Sequence, residues 1–465
     1  MVGPDYERHA VDTPAAFRFE PSQVAQTADT EWWKQYGDPV LDQLIADALA
    51  ANWNVKIAAA NIEAAAAFVT QARAPMFPQI GYGAGAGRVR FSEVGGTAID
   101  TYVSNPQNVY QAAFNASWEL DLWGRIRRQT EAAQATLLGT EQARRGAILS
   151  LVANVASNYI QLRGLDEALA VARRTQKAYA DSLQIFRYQF QYGQVSQMTV
   201  AQAESQYETA AAQIPVLEQQ IAQLENTISL LLGRNPGPIP RGKTVPELSA
   251  PSVPAGLPSQ LLERRPDILQ AEDQLIAANA QIGAAKALYF PTISLTGTFG
   301  TASTDLSNLF KGPANTWSYA GSIIGPVFTA GLVSGQVGQA EATRKAALLN
   351  YEQTIQSAFA DVSNALVARE KLQVQLAAQE KLVSSLQDYS RLARLQYDGG
   401  YSPYSTVLQA EQTLFPAELD LASLRAGNAS SVATIYKAMG GGWIDRADAL
   451  TGAGAPTTVT TAAQP

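Results

Sequence analysis

The feature that most constrains the fold of this chain is an internal repeat. The tetrapeptide Phe-Pro-Gln-Ile at 77–80 returns 213 residues later as Phe-Pro-Thr-Ile at 290–293. Further along the chain the offset is 207, and it pairs one glycine with another at three places: Gly124 with Gly331, Gly193 with Gly400, and Gly233 with Gly440. Self-similarity on this scale indicates two copies of one structural unit.

The repeat sets the expected domain organisation. We place repeat 1 at residues 38–235 and repeat 2 at 260–442, joined by a Pro- and Gly-rich linker at 236–259. An N-terminal extended segment, 1–37, precedes the repeats. The tail, 443–465, is rich in Thr, Ala and Gly, and we expect its end to be disordered because such a composition buries too little apolar surface.

Each repeat contains two segments in which apolar and polar residues alternate, as they do in β-strands. Between Val109 and Leu122, for example, one face is apolar and the other polar. The four predicted strands lie at about 78–91, 108–123, 291–301 and 316–328. Each is long enough to cross a bilayer, which takes roughly 9–11 tilted residues. No apolar run in the sequence reaches the roughly 20 residues of a membrane helix.

The remaining segments carry the periodicity of coiled-coil helices. In the second half of repeat 1, apolar residues recur every seven positions and again three positions later: Val200, Tyr207, Ile214, Ile221 and Ile228, with Ala203, Ala210, Leu217, Leu224 and Leu231. We predict long helices at about 126–190, 197–232, 336–397 and 404–438, and shorter ones at Asp38–Arg73 and Pro266–Leu288. The expected fold class is mainly α, with two internal repeats, four strands and long coiled-coil helices in each chain.

The composition removes most enzymatic functions. The chain has no Cys and a single His, His9, which excludes disulfides and thiolate nucleophiles and leaves little room for triads or His-based metal sites. Its formal net charge of -7 argues against a nucleic-acid partner. Glu119 and Asp121 share the polar face of one strand, where lining a surface is a better interpretation than acid–base catalysis. We expect no catalytic, cofactor or metal site.

Four strands in one chain cannot close a membrane barrel, because their edges would be left without hydrogen bonds in lipid. Several chains must therefore pool their strands. Three chains would give a 12-strand β-barrel, which lies within the range of about 8–26 strands known for such barrels. The same three chains would contribute their helices to a 12-helix α-barrel. Periodicity alone leaves the number of chains open.

Seven stretches spread along the chain carry a family resemblance: Val2–Tyr6, Trp118–Arg125, Pro254–Ser259, Arg264–Ile268, Tyr289–Pro291, Pro326–Gly331 and Tyr436–Trp443. With them the sequence resembles the TolC/OprM family of outer-membrane efflux proteins, in its lipoprotein branch. The resemblance implies a homotrimer in the bacterial outer membrane, with a β-barrel in outer-membrane lipid and an α-barrel in the periplasm. It also implies two partners, a periplasmic adaptor protein and an inner-membrane transporter of the resistance-nodulation-division (RND) type.

The start of the chain departs from that branch. There, a lipidated Cys normally precedes the Val-Gly-Pro-Asp-Tyr stretch, and Met1 stands in its place here. We expect the native form to be lipidated on a Cys that this sequence lacks. The departure does not affect the expected fold.

The turns between the long helices are the candidate functional tips. They contain Gly193, Val195 and Ser196 in repeat 1, and Gly400, Ser402 and Pro403 in repeat 2. Glycine is expected there because a sharp reversal after a helix requires a positive φ. The resemblance implies that the adaptor docks at these turns and that the aperture of the duct lies beside them.

Many members of the family narrow the aperture with acidic residues. The matching positions here are Thr199 and Gln409, with Ser405 one turn before Gln409, and none of the three is charged. We expect a ring of side-chain amides to form the constriction instead. Tyr397 matches a tyrosine that helps to hold neighbouring coils together in the family, but its usual charged companion is not evident in this sequence.

Two other functions compete with an efflux duct. Against a soluble coiled-coil scaffold stand Trp118, Trp123 and Trp317, which lie near the ends of predicted strands, where aromatic residues of membrane barrels meet the interface. The second alternative is a duct of the same fold that serves type I protein secretion. The Val-Gly-Pro-Asp-Tyr start and the Gly-Gly-Gly-Trp end favour the small-molecule and drug branch over that alternative.

Overall fold

A computed structural model of the protein describes residues 1–11, 14, 17, 31–92, 94, 104–249, 251–253 and 258–441. The predictions for the tail at 443–465, for much of the N-terminal segment and for the motif at 254–257 lie outside these residues.

The described chain contains eight α-helices and four strands. The helices are α1 Pro39–Ala51, α2 Trp53–Arg73, α3 Arg125–Gln191, α4 Gln197–Leu231, α5 Pro258–Arg264, α6 Pro266–Ala287, α7 Leu332–Asp398 and α8 Tyr404–Ala438. The strands are β1 Gln79–Val89, β2 Gln107–Leu120, β3 Thr292–Ser303 and β4 Asn315–Ile324. Helices α3 and α7 have 67 residues each, and α4 and α8 have 35 residues each. Each helix of the second pair begins 207 residues after its counterpart, so the helix bounds follow the same offset as the sequence.

The single helix predicted at Asp38–Arg73 is wrong, because Asn52 divides it into α1 and α2. Asn52 has an extended conformation (φ -58°, ψ 131°), and its backbone N–H donates to the carbonyl of Ala48 to end α1. Its Oδ1 then accepts the N–H groups of Asn54 (2.8 Å) and Val55 (3.2 Å), which caps the start of α2. One side chain thus ends one helix and starts the next. The periodicity of the surrounding apolar residues does not reveal this break.

The N-terminal segment is not extended throughout, because Trp32–Tyr36 forms a turn of 3₁₀ helix. Trp32 and Tyr36 are 1% and 0% exposed, and a helical turn lets both reach one core. Trp32 stacks on Tyr436 of α8 with ring centroids 5.0 Å apart. The hydroxyl of Tyr36 donates to the carbonyl of Ala429 at 2.6 Å. This aromatic cluster ties the segment before α1 to the end of α8.

Asp38 begins α1 as the sequence predicts, and it also holds the linker. Its carboxylate is fully buried and accepts the N–H of Val40 (2.9 Å), the hydroxyl of Tyr159 (2.8 Å) and the N–H of Lys243 (3.1 Å). Burial, followed by the hydrogen bond to Asp38, raises the pKa of Tyr159 well above its usual range. The Tyr159 hydroxyl in turn accepts the N–H of Gly242 at 2.9 Å. A buried carboxylate with three donors is satisfied and stabilises this junction.

The strands form one antiparallel sheet in the order β1-β2-β3-β4. Two strands end earlier than predicted. Strand β2 ends at Leu120 instead of 123, because the chain turns there: the N–H of Leu122 donates to the carbonyl of Leu120, and Gly124 has a φ of 85°. Strand β4 ends at Ile324 instead of 328, since Pro326 has no N–H to donate to a neighbouring strand.

The described residues group into two compact units, each made of separate segments. The first contains Met1–Ala10, Asn61–Thr140 and Gln270–Tyr351, and the second contains the described residues of 11–60, 141–269 and 352–465. Both repeats contribute to both units. The first unit holds the sheet, and the second holds the turns between the long helices.

In the first unit, the N-terminal residues lie along the starts of α3 and α6. The guanidinium of Arg128, whose side chain is 3% exposed, donates to the carboxylate of Asp5 at 2.6 Å. Asn279 donates to the carbonyl of Pro4 at 3.0 Å, and Tyr6 donates to Glu272 at 3.0 Å. The stretch Val2–Tyr6 that carries part of the family resemblance is thus held by specific hydrogen bonds.

Candidate functional site

The sheet has one apolar face that runs across all four strands. The strand register places these side chains on the same face: Ile80, Tyr82, Phe114, Trp118, Leu120, Ile293, Leu295, Phe299, Trp317, Tyr319 and Ile323. Most of them are exposed, including Tyr82 (87%), Phe299 (65%) and Tyr319 (82%). The alternation read from the sequence is confirmed. An exposed apolar face of this extent is a surface that another apolar phase must cover.

The opposite face is polar and rich in hydroxyl groups. The hydroxyls of Ser294 and Ser322 lie 2.7 Å apart across β3 and β4, and those of Thr298 and Ser318 also lie 2.7 Å apart. Glu119 lies on the same face at the end of β2 and forms an ion pair with Arg125 at 2.8 Å. Such a face is suited to contact with water.

The three tryptophans singled out from the sequence lie at different levels of the sheet. Trp118 and Trp123 are at the end next to the helices, where their indole N–H groups donate to the carbonyls of Met76 (3.0 Å) and Pro291 (2.7 Å). Trp123 also stacks on Phe290 at 4.6 Å. Trp317 lies further along the sheet and is 70% exposed.

The strand register also reveals an aromatic row that the sequence analysis missed. Tyr82 pairs with Phe114, Phe114 with Phe299, and Phe299 with Trp317, so four neighbouring strands each contribute one aromatic ring. Only the pairing of strands distant in sequence brings these rings together. Their alternation with polar residues was visible, but their shared level on the sheet was not.

The sheet is open at both edges. Among the described residues, β1 pairs only with β2, and β4 pairs only with β3. Strand β1 has 11 residues, and β4 has 10. Long edges with unpaired N–H and C=O groups invite pairing with another chain.

The two turns between the long helices are built alike. After α3, Gly193 has a φ of 72°, and its N–H donates to Phe190 while that of Gln194 donates to Gln189. After α7, Gly400 has a φ of 75°, and the N–H groups of Gly400 and Tyr401 donate to Tyr397 and Gln396. Each turn is therefore a Schellman motif. The positive φ predicted for both glycines is confirmed.

Behind the turns, residues of all four long helices form one small core. It is made of Leu183, Phe186, Ala203, Ala393, Tyr404, Val407 and Ala410, with Val195, Val200 and Tyr397 packed against it. Tyr397 lies edge-on to Phe186 (6.3 Å) and to Tyr404 (5.5 Å). The ring of Tyr397 thus contacts aromatic residues of its own chain. Phe186 and Tyr404 were not singled out from the sequence, because each fits an ordinary heptad position.

The remaining candidate residues at the turns differ in how free they are. Ser405 and Gln409 are both exposed and lie one turn apart on α8. Thr199 is half-buried, and its backbone N–H donates to the hydroxyl of Ser196, which caps α4. Val195 packs against the core behind the turns.

A pair of salt bridges repeats beside the turns. Arg187 pairs with Glu204 at 2.8 Å, and 207 residues later Arg394 pairs with Glu411 at 3.1 Å. The first pair is exposed, whereas the Glu411 side chain is only 12% exposed. Burial raises the pKa of Glu411, and Arg394 opposes that rise. Arg394 also donates to the hydroxyl of Ser182 on α3.

Neither a helical membrane span nor a metal centre occurs in the part of the chain that the structure describes. No described helix combines the length and apolarity that a bilayer crossing requires. No three described Asp, Glu or His side chains lie close enough together to hold a metal ion.

Comparison with known proteins identifies the family. A family model described as outer membrane efflux protein matches residues 44–234 and 257–441. The chain belongs to the outer membrane efflux protein family. The two matched segments correspond to the two repeats, and the family accounts for the paired strands and paired long helices in each.

Curated members of the outer membrane efflux protein family resemble this chain over nearly its whole length. The probable efflux pump outer membrane protein TtgC of Pseudomonas putida is 37% identical over 454 residues, which cover 95% of this chain and 93% of that protein. The cation efflux system protein CusC of Escherichia coli is 35% identical over 448 residues, which cover 95% of both.

Solved structures of outer membrane channels have the same fold. The open state of the MtrE outer membrane channel of Neisseria gonorrhoeae superposes with a TM-score of 0.85 at 33% identity, and the match covers 95% of this chain and 98% of that one. A crystal structure of CusC gives a TM-score of 0.84 at 33% identity, covering 94% and 99%. The CmeC outer membrane channel of Campylobacter jejuni gives 0.87 at 25% identity, covering 95% of both.

Proposed function

We propose that this chain is one subunit of a homotrimeric outer-membrane duct in a tripartite efflux system. The observation that carries the proposal is the four-stranded sheet with one apolar face, one hydroxyl-rich face and two open edges. In a closed ring of copies, β4 of each copy pairs with β1 of the next, and the edges disappear. Three copies supply 12 strands, within the known range of about 8–26 strands.

In such a ring the apolar face points outward to lipid and the hydroxyl-rich face lines a water-filled passage. The long helices continue the passage as a 12-helix α-barrel in the periplasm. The chain acts as a passive conduit and not as an enzyme, because the polar face of the described sheet carries hydroxyls and an ion-paired carboxylate, which suit a water-filled lining. Selection among compounds then falls to the pump.

The turns at Gly193 and Gly400 form the periplasmic end, where a periplasmic adaptor docks and links the duct to an inner-membrane RND transporter. Ser405 and Gln409 are the best candidates to line the aperture, because both side chains are exposed on one face of α8. Thr199 contributes less freely, since its N-terminal position on α4 is tied to Ser196. Drugs and other small molecules are the proposed cargo; the relatives are named for toluene, antibiotic and cation efflux.

A direct experiment tests the proposal. The protein, purified in detergent, is imaged by electron microscopy and its mass is measured by light scattering. We expect a threefold particle with a long helical barrel. A monomer that stays dispersed without detergent would contradict the proposal and favour a soluble scaffold.

A duct for type I protein secretion is the second candidate. It shares the fold, so a functional assay must separate the two. A deletion strain complemented with this chain should regain resistance to dyes or solvents, and secretion of a reporter toxin should remain unchanged. Restored toxin secretion without restored resistance would favour the second candidate.

A further inference from the structure

The two repeats of one chain already contact each other along a helix seam, where α3 packs on α8. A Cβ placed on Gly164 of α3 would lie 2.5 Å from the Cβ of Ala426 on α8, so the two helices approach closely. Further along, Arg174 pairs with Glu418 at 2.9 Å, and Glu167 pairs with Arg425 at 3.1 Å. We call this contact the in-chain seam.

Because the repeats are related by an offset of 207, each side of the in-chain seam has a counterpart in the other repeat. The counterpart of the α3 side is on α7, where Lys371, Val374 and Lys381 stand for Gly164, Glu167 and Arg174. The counterpart of the α8 side is on α4, where Pro215 and Gln219 stand for Ala422 and Ala426.

These counterpart surfaces are uncovered within the chain. On α7, Val374, Leu382 and Tyr389 form a stripe and are 64%, 47% and 38% exposed. The equivalent positions on α3 carry Glu167, Thr175 and Ser182, which are half-buried or buried in the in-chain seam. On α4, Pro215 and Gln219 are exposed. The chain therefore has one closed seam and the two halves of a second.

Charge supports a match between the two halves. Helix α4 carries Glu204, Glu208, Glu218 and Glu225 and has no Lys or Arg. Within the described residues, the side chains of Glu208 on α4 and Lys381 on α7 form no ion pair, and both are exposed. Lys381 is the counterpart of Arg174, and Glu208 lies one helical turn from Ala211, the counterpart of Glu418. A basic position on α7 thus corresponds to an acidic region of α4.

We infer that α7 of one copy packs on α4 of a second copy of this chain, with Lys371, Val374 and Lys381 facing the region of Ala211, Pro215 and Gln219. The inference rests on the proposed ring, in which repeat 2 of each copy lies next to repeat 1 of the following copy. The contact is head-to-tail, so each copy uses both surfaces and the ring closes.

The inference predicts two kinds of seam around the ring. The in-chain seam is held by ion pairs between α3 and α8. The seam between copies is more apolar, because Val374, Leu382 and Tyr389 replace Glu167, Thr175 and Ser182. Apolar burial suits an interface that must form by association.

Disulfide cross-linking tests this seam, since the chain has no Cys of its own. The variant K371C/Q219C carries the counterparts of the closely packed Gly164 and Ala426. The matched control is K371C/N226C, in which the second thiol moves to another exposed position of α4, two helical turns and about 10 Å away. A disulfide needs Cα atoms within about 7 Å, so about tenfold less cross-linking is expected in the control.

After oxidation of the detergent-solubilised protein, K371C/Q219C should run as a covalent trimer on a denaturing gel, and reduction should return it to monomer. Each single-Cys variant should stay monomeric. A particle that is trimeric by light scattering but gives no more cross-linking than the control would overturn the seam and leave the proposed duct intact. A monomeric particle would overturn the ring itself.

Discussion

Arg394 and Glu411 form a partly buried ion pair, with 3.1 Å between Nη2 and Oε1, at the position where the other repeat has the exposed pair of Arg187 and Glu204. The same two residue types at the same repeat positions therefore lie in different environments. Glu411 has one carboxylate oxygen, Oε2, that is buried without a hydrogen-bond partner among the described residues. Arg394 is the group that compensates the buried charge.

Replacing these arginines should separate the two environments. Arg394→Ala should lower the free energy of unfolding by about 1–3 kcal/mol, because it leaves a buried carboxylate unpaired. The matched variant Arg187→Ala should cost only about 0–0.5 kcal/mol, as exposed pairs do. Thermal melting of the purified protein measures both changes. Equal losses for the two variants would contradict the difference in burial.

The Arg394→Ala deficit should depend on pH. Burial raises the pKa of Glu411 above that of the unfolded chain, so the folded state binds a proton more readily than the unfolded state. The protonated form therefore stabilises the fold most below the ordinary Glu pKa, and this stabilisation is lost as pH rises through the raised value. The deficit of Arg394→Ala should be largest at about pH 8 and shrink on acidification. A pH-independent deficit would argue that Glu411 stays ionised or is solvated.

The two faces of the sheet should respond differently to charge. Phe299→Arg places a cation on the apolar face and should destabilise the folded protein in a membrane by about 2–4 kcal/mol if its level is near the bilayer centre. The adjacent variant Thr298→Arg lies on the hydroxyl-rich face and should cost about 1 kcal/mol or less, mainly through its lost contact with Ser318. Folding yield into liposomes measures both, and a reversal of this order would mean that the faces are assigned the wrong way round.

Removing the carboxylate of Asp38 should disrupt the junction between α1 and the linker. Asp38→Ala leaves the donors of Val40, Tyr159 and Lys243 without their acceptor, which should cost about 3 kcal/mol or more. Asp47→Ala on the same helix is the control, because Asp47 is exposed and bonds only to the side chain of Gln43 among the described residues. It should change stability by about 0.5 kcal/mol or less. Similar melting temperatures for the two variants would show that the buried hydrogen bonds contribute little.

Gln409→Ala should raise ion leak through the duct, since the proposed constriction consists of uncharged side chains. Single-channel conductance of the reconstituted protein in a planar bilayer measures the leak. Gln223→Ala removes the same side-chain amide far along α4 from the turns and should leave the conductance unchanged. If the two variants conduct alike, Gln409 does not line the narrowest point.

Much of the local structure could be predicted from the sequence because it depends on short-range chemistry. Alternation between Val109 and Leu122 predicted one apolar face of β2, and positive φ at Gly193 and Gly400 followed from the demands of a helix reversal. The ends of β2 and β4 were placed too late, because apolar residues continue past the last strand pair. The break at Asn52 was missed, because one side chain caps two helices there.

The sequence by itself determined the repeat, the types of the long elements and the two faces of each strand, since all three are periodic patterns along the chain. Only the tertiary structure decided that Tyr82, Phe114, Phe299 and Trp317 form one row, because the register joins strands far apart in sequence. It also decided that Glu411 is buried while Glu204 is exposed. Equivalent positions in two repeats carry equivalent residues, but the neighbours that pack around each of them fix its solvation and its charge.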